Sequence, residues 1–126
     1  MTQRDKLDPV REELIASLHS DAGAKARLRS SLTADFARTL VRICQPYDYY
    51  SNDPRMEAAY YLSLCPIEAL HTVVNDIGEL LELPEDGETM DGNISCHLLR
   101  CIERLVNEAG YVPSPQLQAA MKQYAA

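Results

Sequence analysis

Residues 28–46, LRSSLTADFARTLVRICQP, carry the clearest structural pattern of the chain. At about 100° per residue, the apolar side chains of this stretch fall within one third of a helix circumference. They are Leu28, Leu32, Phe36, Leu40 and Ile43. Such a stripe is typical of an amphipathic helix that packs on a core. It predicts one long helix that follows the break at residues 21–24 and ends near Cys44, before Gln45-Pro46.

Prolines mark the starts of most other predicted helices, at Asp8-Pro9, Asp53-Pro54, Cys65-Pro66 and Ser114-Pro115. Proline suits the first helical position because the N–H that it lacks would be unpaired there. We expect a first helix over residues 9–20 with Asp8 as its N-cap, and a third that breaks at Cys65. The remaining helices are expected over residues 67–83, 93–109 and 115–124, with Gly110 ending the penultimate one.

These patterns predict an all-α protein: a compact single-domain bundle of five or six helices. A chain of 126 residues can bury roughly two-thirds of its unfolded surface without a metal or disulfide. We assign residues 1–126 to one domain, with residues 1–7 as a flexible N-terminal segment. The one β-branched run, Thr72-Val73-Val74, lies within a helical pattern, so we expect no strand.

Composition and charge narrow the classes of function. No run approaches the roughly 18 apolar residues of a membrane span, and the N-terminus carries no secretion signal, so we expect a cytoplasmic protein. The net charge is −7. Residues 1–56 carry nine Lys or Arg against eight Asp or Glu, whereas residues 57–126 carry three against eleven. This acidity opposes general binding to nucleic acid.

Cysteine and histidine raise the questions of metal binding and catalysis. His97 and Cys101 are four residues apart, and Cys65 with His71 would complete four ligands, but no CxxC or HxxxH pair is present. We therefore expect no metal and no cofactor, and reduced cysteines. Cys65 precedes a predicted helix N-terminus, which would lower its pKa. A small cysteine-dependent enzyme, with His71 as base, is kept as an alternative to the leading prediction of no enzymatic activity.

The acidic stretch at residues 85–91 is predicted to be a loop because it combines two nearby glycines with crowded like charges. It does not fit a calcium-binding EF-hand. Counted from Asp86, the sixth position is Asp91 rather than glycine, and the twelfth is His97 rather than glutamate.

Three arginines, Arg27, Arg38 and Arg42, fall within about 60° of one another on the predicted second helix, away from its apolar stripe. They are candidate contacts for phosphates or for an acidic partner. The corresponding alternative function is a regulator of nucleic-acid transactions, which acts through this stripe or through acidic mimicry by the second half of the chain. The overall charge makes nucleic acid the less favoured partner.

Five of the seven tyrosines cluster at positions 47, 49, 50, 60 and 61. Tyrosine is enriched where proteins meet because it offers a large, stiff ring with a polar end. The leading hypothesis is a non-enzymatic cytoplasmic interaction module: an adaptor, a chaperone-like binder or an inhibitor. Its predicted partner contacts are Tyr47, Tyr49, Tyr50 and Tyr61. The C-terminal helix would extend this surface or pair with its copy in a homodimer.

Overall fold

The computed structural model describes residues 3–45, 53–82 and 92–125, which form eight α-helices and no strand. They are α1 (Gln3–Leu18), α2 (Ala22–Arg29), α3 (Ala34–Ile43), α4 (Arg55–Ser63), α5 (Ile67–Thr72), α6 (Val74–Leu81), α7 (Gly92–Ala109) and α8 (Pro115–Ala125). The predicted all-α class is confirmed. The predicted number of helices is wrong, because two of the predicted helices are each divided in two.

The first helix begins earlier than its proline predicts. α1 starts at Gln3 and contains Pro9, so Asp8 is an internal residue rather than an N-cap. Residues 3–7, predicted to be flexible, belong to this helix. An internal proline removes one backbone hydrogen bond and crowds the preceding turn, at a cost of about 3 kcal/mol. The side chain of Pro9 itself is exposed.

The long helix predicted from the break at residues 21–24 to about Cys44 is two helices, because hydroxyl side chains take up backbone hydrogen bonds at the junction. Ser30 Oγ and Ser31 Oγ both donate to the Arg27 carbonyl, at 2.9 and 2.8 Å. Thr33 Oγ1 then accepts the backbone N–H of Phe36 at 3.2 Å and caps α3. Such local bonds compete with a continuous helix. The apolar stripe still faces the core from both helices, with Leu28, Leu40 and Ile43 buried and Leu32 and Phe36 half-buried.

Three of the predicted proline starts lie within one residue of a helix start, although only Pro115 occupies the first helical position. Pro54 is the N-cap of α4, which ends at Ser63, and Pro66 is the N-cap of α5. The break predicted at Cys65 therefore lies where expected. Ser114 Oγ accepts the backbone N–H of Leu117 at 3.1 Å, and α8 begins between them at Pro115.

The helix predicted over residues 67–83 divides at the β-branched run. Val73 separates α5 from α6 with φ −117° and ψ 13°, and Thr72 Oγ1 donates to the Ala69 carbonyl at 2.6 Å. Side chains branched at Cβ crowd the preceding helical turn, which favours a break at this point. The acidic segment at residues 85–91 lies outside the described residues.

The long helix α7 is central to the arrangement and contacts α4, α5, α6 and α8. It ends at Ala109, and Gly110 follows it as predicted, with the left-handed φ of 69° that glycine adopts after a helix C-terminus. All eight helices contribute to one hydrophobic cluster. Its largest fully buried side chains include Tyr61, Leu14, Leu40, Leu62 and Ile77. Within the described ranges, no helix combines the length and apolarity that crossing a membrane requires.

Two arginine side chains form hydrogen bonds at the ends of α4. Arg104 of α7 donates through Nη1 to the carbonyl oxygens of Ser63 and Cys65, at 2.9 and 2.7 Å. These carbonyls lie at the C-terminus of α4, where no partner within the helix is available. Arg55, whose side chain is 6% exposed, contacts Oδ2 of Asp53 through Nε at 2.9 Å and Nη2 at 2.7 Å.

Candidate functional site

The structure removes Tyr61 from the predicted tyrosine surface. Its side chain is 1% exposed and packs in the core, so the prediction of a partner contact is wrong for this residue. The ring of the half-buried Tyr60 lies edge-on to the rings of Tyr61 and His97, at centroid distances of 5.2 and 5.6 Å. The other predicted contacts lie outside the described residues: Tyr47, Tyr49 and Tyr50.

A small polar cluster joins α1 to α4. Ser17 Oγ donates to Glu57 Oε2 at 2.8 Å and lies 2.7 Å from the hydroxyl of Tyr61. Ser17 has one hydroxyl hydrogen, and because the carboxylate takes it, the phenol of Tyr61 is the donor to Ser17. Ser17 is 2% exposed, so its hydroxyl group is closed to a substrate. The cluster satisfies two buried hydroxyl groups within the core.

His97 faces this region from α7. Its Nδ1 atom is buried without a hydrogen-bond partner. Burial lowers the pKa of His97, the charge of Arg100 lowers it further, and Glu57 opposes the shift. Cys101, the neighbouring candidate ligand, donates its thiol to the His97 carbonyl at 3.3 Å. Among the described residues, no three His, Cys, Asp or Glu side chains are grouped so that they could hold a metal ion.

The thiol of Cys65 lies in surroundings that suppress its reactivity. Burial raises the pKa of Cys65 to about 11, although Arg104 opposes the shift. The thiol donates to the Tyr61 carbonyl at 3.6 Å, whereas His71 is exposed on α5. Because the thiolate is the nucleophilic form of cysteine, these surroundings weigh against the cysteine-dependent alternative. Burial likewise raises the pKa values of the thiols of Cys44 and Cys101.

The three arginines expected on one helix face are divided between two helices. Arg27 lies on α2, and Arg38 and Arg42 lie on α3, because the predicted helix is interrupted. Arg27 pairs with Glu13 of α1, and Arg38 pairs with Asp35 of its own helix. The side chains of Arg27 and Arg38 remain 64% and 54% exposed. Exposed ion pairs are weak because water screens both charges, so carboxylates of a partner can compete with them.

The surface formed by α2 and α3, here called the basic face, concentrates positive charge. The two helices carry five cations and the carboxylate of Asp35, a net charge of +4, and the carboxylates of Glu13 and Asp21 lie beside Arg27. The cations are Lys25, Arg27, Arg29, Arg38 and Arg42. Residues 67–82 show the opposite arrangement, with no Lys or Arg and four exposed carboxylates. The charges of the described residues are thus segregated, although the whole chain is acidic.

A groove of about 270 Å³ adjoins the basic face, between α1 and the junction of α2 with α3. Its apolar lining includes Val10, Leu28 and Phe36, and its charged lining is the ion pair of Glu13 with Arg27. The sequence pattern assigned Leu28 and Phe36 to an apolar stripe on the core and did not predict a groove. Half-buried and fully buried residues of a stripe follow the same spacing in the sequence, so the sequence does not distinguish them.

The comparisons with known proteins add no relative to this picture. No protein-family model, no curated protein and no solved structure matches the chain.

Proposed function

We propose that the protein is a non-enzymatic interaction module that binds an acidic protein partner through the basic face. The observation that carries this proposal is the net charge of +4 on α2 and α3 within a chain of net charge −7. A local field of one sign attracts and orients a partner of the other sign. Arginine is also enriched in protein interfaces, whereas lysine is depleted, and four of the five cations are arginines.

Two features favour a protein over a nucleic acid as the partner. A nucleic acid is a polyanion, and the net charge of −7 on the chain opposes its binding. The groove beside the basic face is lined by apolar side chains, which suit a protein side chain better than a phosphate backbone. Two earlier predictions remain untested. They are partner binding through Tyr47, Tyr49 and Tyr50, and pairing of α8 with its copy in a homodimer.

The cysteines support a cytoplasmic setting for this function. All four are free thiols, and three of them are buried. Disulfides form and persist in oxidising compartments, so a set of unpaired thiols is typical of a reducing one. We therefore propose that the partner is met in the cytoplasm, where the module acts as an adaptor, a chaperone-like binder or an inhibitor.

A charge-reversal experiment with a matched control tests the proposal. The double variant Arg38→Glu/Arg42→Glu reverses two cations of the basic face. Arg100→Glu/Lys122→Glu makes the same change in net charge on α7 and α8, at exposed positions. The immobilised wild-type protein captures partners from lysate, and each is identified, purified and measured again by calorimetry. Circular dichroism establishes that all variants keep their helical content.

We expect the wild type and the α7–α8 variant to bind an acidic protein, and the α3 variant to lose that binding. Equal binding by both variants would contradict the proposal. The nucleic-acid alternative gives a different result: a salt-sensitive mobility shift of DNA or RNA that only the α3 variant loses. That result would replace the protein partner with a nucleic acid.

A further inference from the structure

We propose that an acidic partner of the basic face is a second copy of this chain, which binds through the exposed carboxylates of residues 67–82. These residues, here called the acidic face, comprise α5, α6 and the residues that flank α6. The inference rests on the proposed function and adds to it the identity of a partner. It differs from the pairing of α8 with its copy, because it joins two unlike faces.

The carboxylates of the acidic face are open to another molecule. The face contains no Lys or Arg, and among the described residues none of its carboxylates forms an ion pair, whereas Glu13 and Asp35 do. All four are exposed. They are Glu68, Asp76, Glu79 and Glu82.

The basic face keeps an excess of cations after the carboxylates around it are counted. Its five cations stand against three carboxylates, those of Asp35, Glu13 and Asp21, which leaves a local net charge of +2. The acidic face has a net charge of −4. Opposite local charges favour the orientation that places one face against the other.

The charged positions of α3 and α6 have similar spacing. Arg38 and Arg42 are four residues apart on α3, about 6 Å along the helix axis, and Glu79 and Glu82 are three residues apart at the end of α6, about 4.5 Å. Residues at these separations lie on one side of a helix, and all four side chains are exposed. Two ion pairs can therefore form between α3 of one copy and α6 of the other.

Two copies can make this contact twice. Within one copy α3 packs against α5, so the two faces lie on neighbouring helices. A two-fold axis then brings each face of one copy against the opposite face of the other. The net charge of −7 repels the copies at a distance. At physiological salt, exposed charges more than about 8 Å apart are largely screened, so the charges in contact dominate.

Two variants place like charges at the contact between α3 and α6. Arg38→Glu/Arg42→Glu puts four carboxylates there, and Glu79→Lys/Glu82→Lys puts four cations there. Lysine is favourable near the C-terminus of a helix because of the helix dipole, so the second change does not weaken α6. Static light scattering measures the average mass of the purified chain at concentrations up to about 1 mM.

Each variant has a control with the same change in net charge at exposed positions of other helices. Arg100→Glu/Lys122→Glu matches the α3 variant, and Glu12→Lys/Glu103→Lys on α1 and α7 matches the α6 variant. Both controls should associate as the wild type does. Circular dichroism compares the helical content of all variants.

We expect the average mass of the wild type to rise towards that of a dimer at about 0.15 M salt, and to return to that of the monomer at about 0.5 M. The α3 variant and the α6 variant should each stay monomeric. Their equimolar mixture should associate again, because each supplies the charges that the other has lost. Association of the mixture also requires that both variants are folded.

The outcomes separate this inference from the proposed function. A wild type that stays monomeric at about 1 mM, yet binds another acidic protein through the basic face, would overturn only the inference. Association that either face variant keeps, or that the mixture fails to regain, would also overturn it, and so would equal loss in a control. A monomeric wild type that captures no acidic protein would overturn both proposals.

Discussion

Replacing Arg104 with alanine should lower the free energy of unfolding by about 3 kcal/mol. Arg104 joins α7 to the C-terminus of α4, because its Nη1 donates to the carbonyl oxygens of Ser63 and Cys65 at 2.9 and 2.7 Å. A hydrogen bond from a charged donor contributes about 1.5–3 kcal/mol. The two bonds share one nitrogen, so we take about 3 kcal/mol for the pair rather than twice the upper value.

Two further variants separate this contribution from the ion pair on the helix surface. Glu108 accepts from Arg104 Nε at 3.0 Å and is half exposed. Glu108→Ala removes only this pair and should lower the free energy of unfolding by no more than about 0.5 kcal/mol. Arg104→Lys keeps the charge but not the geometry of the guanidinium group, and we expect an intermediate loss.

Urea denaturation measures these differences. For a slope of about 1–3 kcal/mol per molar urea, the alanine variant should move the midpoint by about 1–3 M with the slope unchanged. Such a loss is a large part of the roughly 5–15 kcal/mol that stabilises a typical domain. A loss below about 1 kcal/mol for Arg104→Ala, or an equal loss for Glu108→Ala, would refute the role assigned to the two carbonyl bonds.

Three other variants or reagents test separate features. Gly110→Ala should lower the free energy of unfolding by about 1 kcal/mol, because φ is 69° although nothing lies within 4 Å of the added Cβ; an unchanged urea midpoint would contradict this. Because burial lowers the pKa of His97 in the folded state, the unfolded state binds the extra proton, and stability should fall as pH decreases below about 6.5. His97→Gln should flatten this dependence, whereas a curve identical to that of the wild type, or equal flattening by the exposed His71→Gln, would disprove the assignment. Iodoacetamide near neutral pH should label the exposed Cys96 first and Cys65 only after unfolding in urea; peptide mapping that finds equal rates would restore Cys65 as a reactive thiol.

Much of the helical arrangement could be predicted because burial imposes a regular spacing on apolar residues. The residues of the stripe at positions 28–43 do face the core. Local chemistry placed several helix ends correctly: proline at positions 54, 66 and 115, the hydroxyl of Ser114, and the left-handed backbone of Gly110. Each of these features depends on near neighbours in the sequence, which the sequence displays directly.

The divisions within helices were missed because periodicity does not report them. α2 and α3 pack on the same core, so the apolar spacing continues across the break between them. The break depends on hydrogen bonds of Ser31 and Thr33 that compete with helical ones, and tertiary packing decides which set forms. Pro9 led to a different error. It was interpreted as the start of a helix, whereas it lies inside α1.

The candidate site, like the fold, could be predicted only in part. The excess of cations at residues 22–43 can be counted in the sequence. The groove cannot be predicted, because it depends on how far α1 stands from the α2–α3 junction, and Phe36 looks like any other stripe residue. Tyr61 shows the converse: clustering suggested a surface, but its hydroxyl is satisfied internally by Ser17, which allows the whole ring to be buried.

The central claim, that the basic face binds an acidic partner, is tested most directly by the salt dependence of a single dissociation constant. The purified partner is titrated by calorimetry at about 0.05 M and 0.5 M salt, with the wild type and with Arg38→Glu/Arg42→Glu. We predict that wild-type affinity falls steeply between the two conditions, and that the variant binds weakly in both. A dissociation constant that is the same at both salt concentrations, and the same for the variant, would contradict the claim.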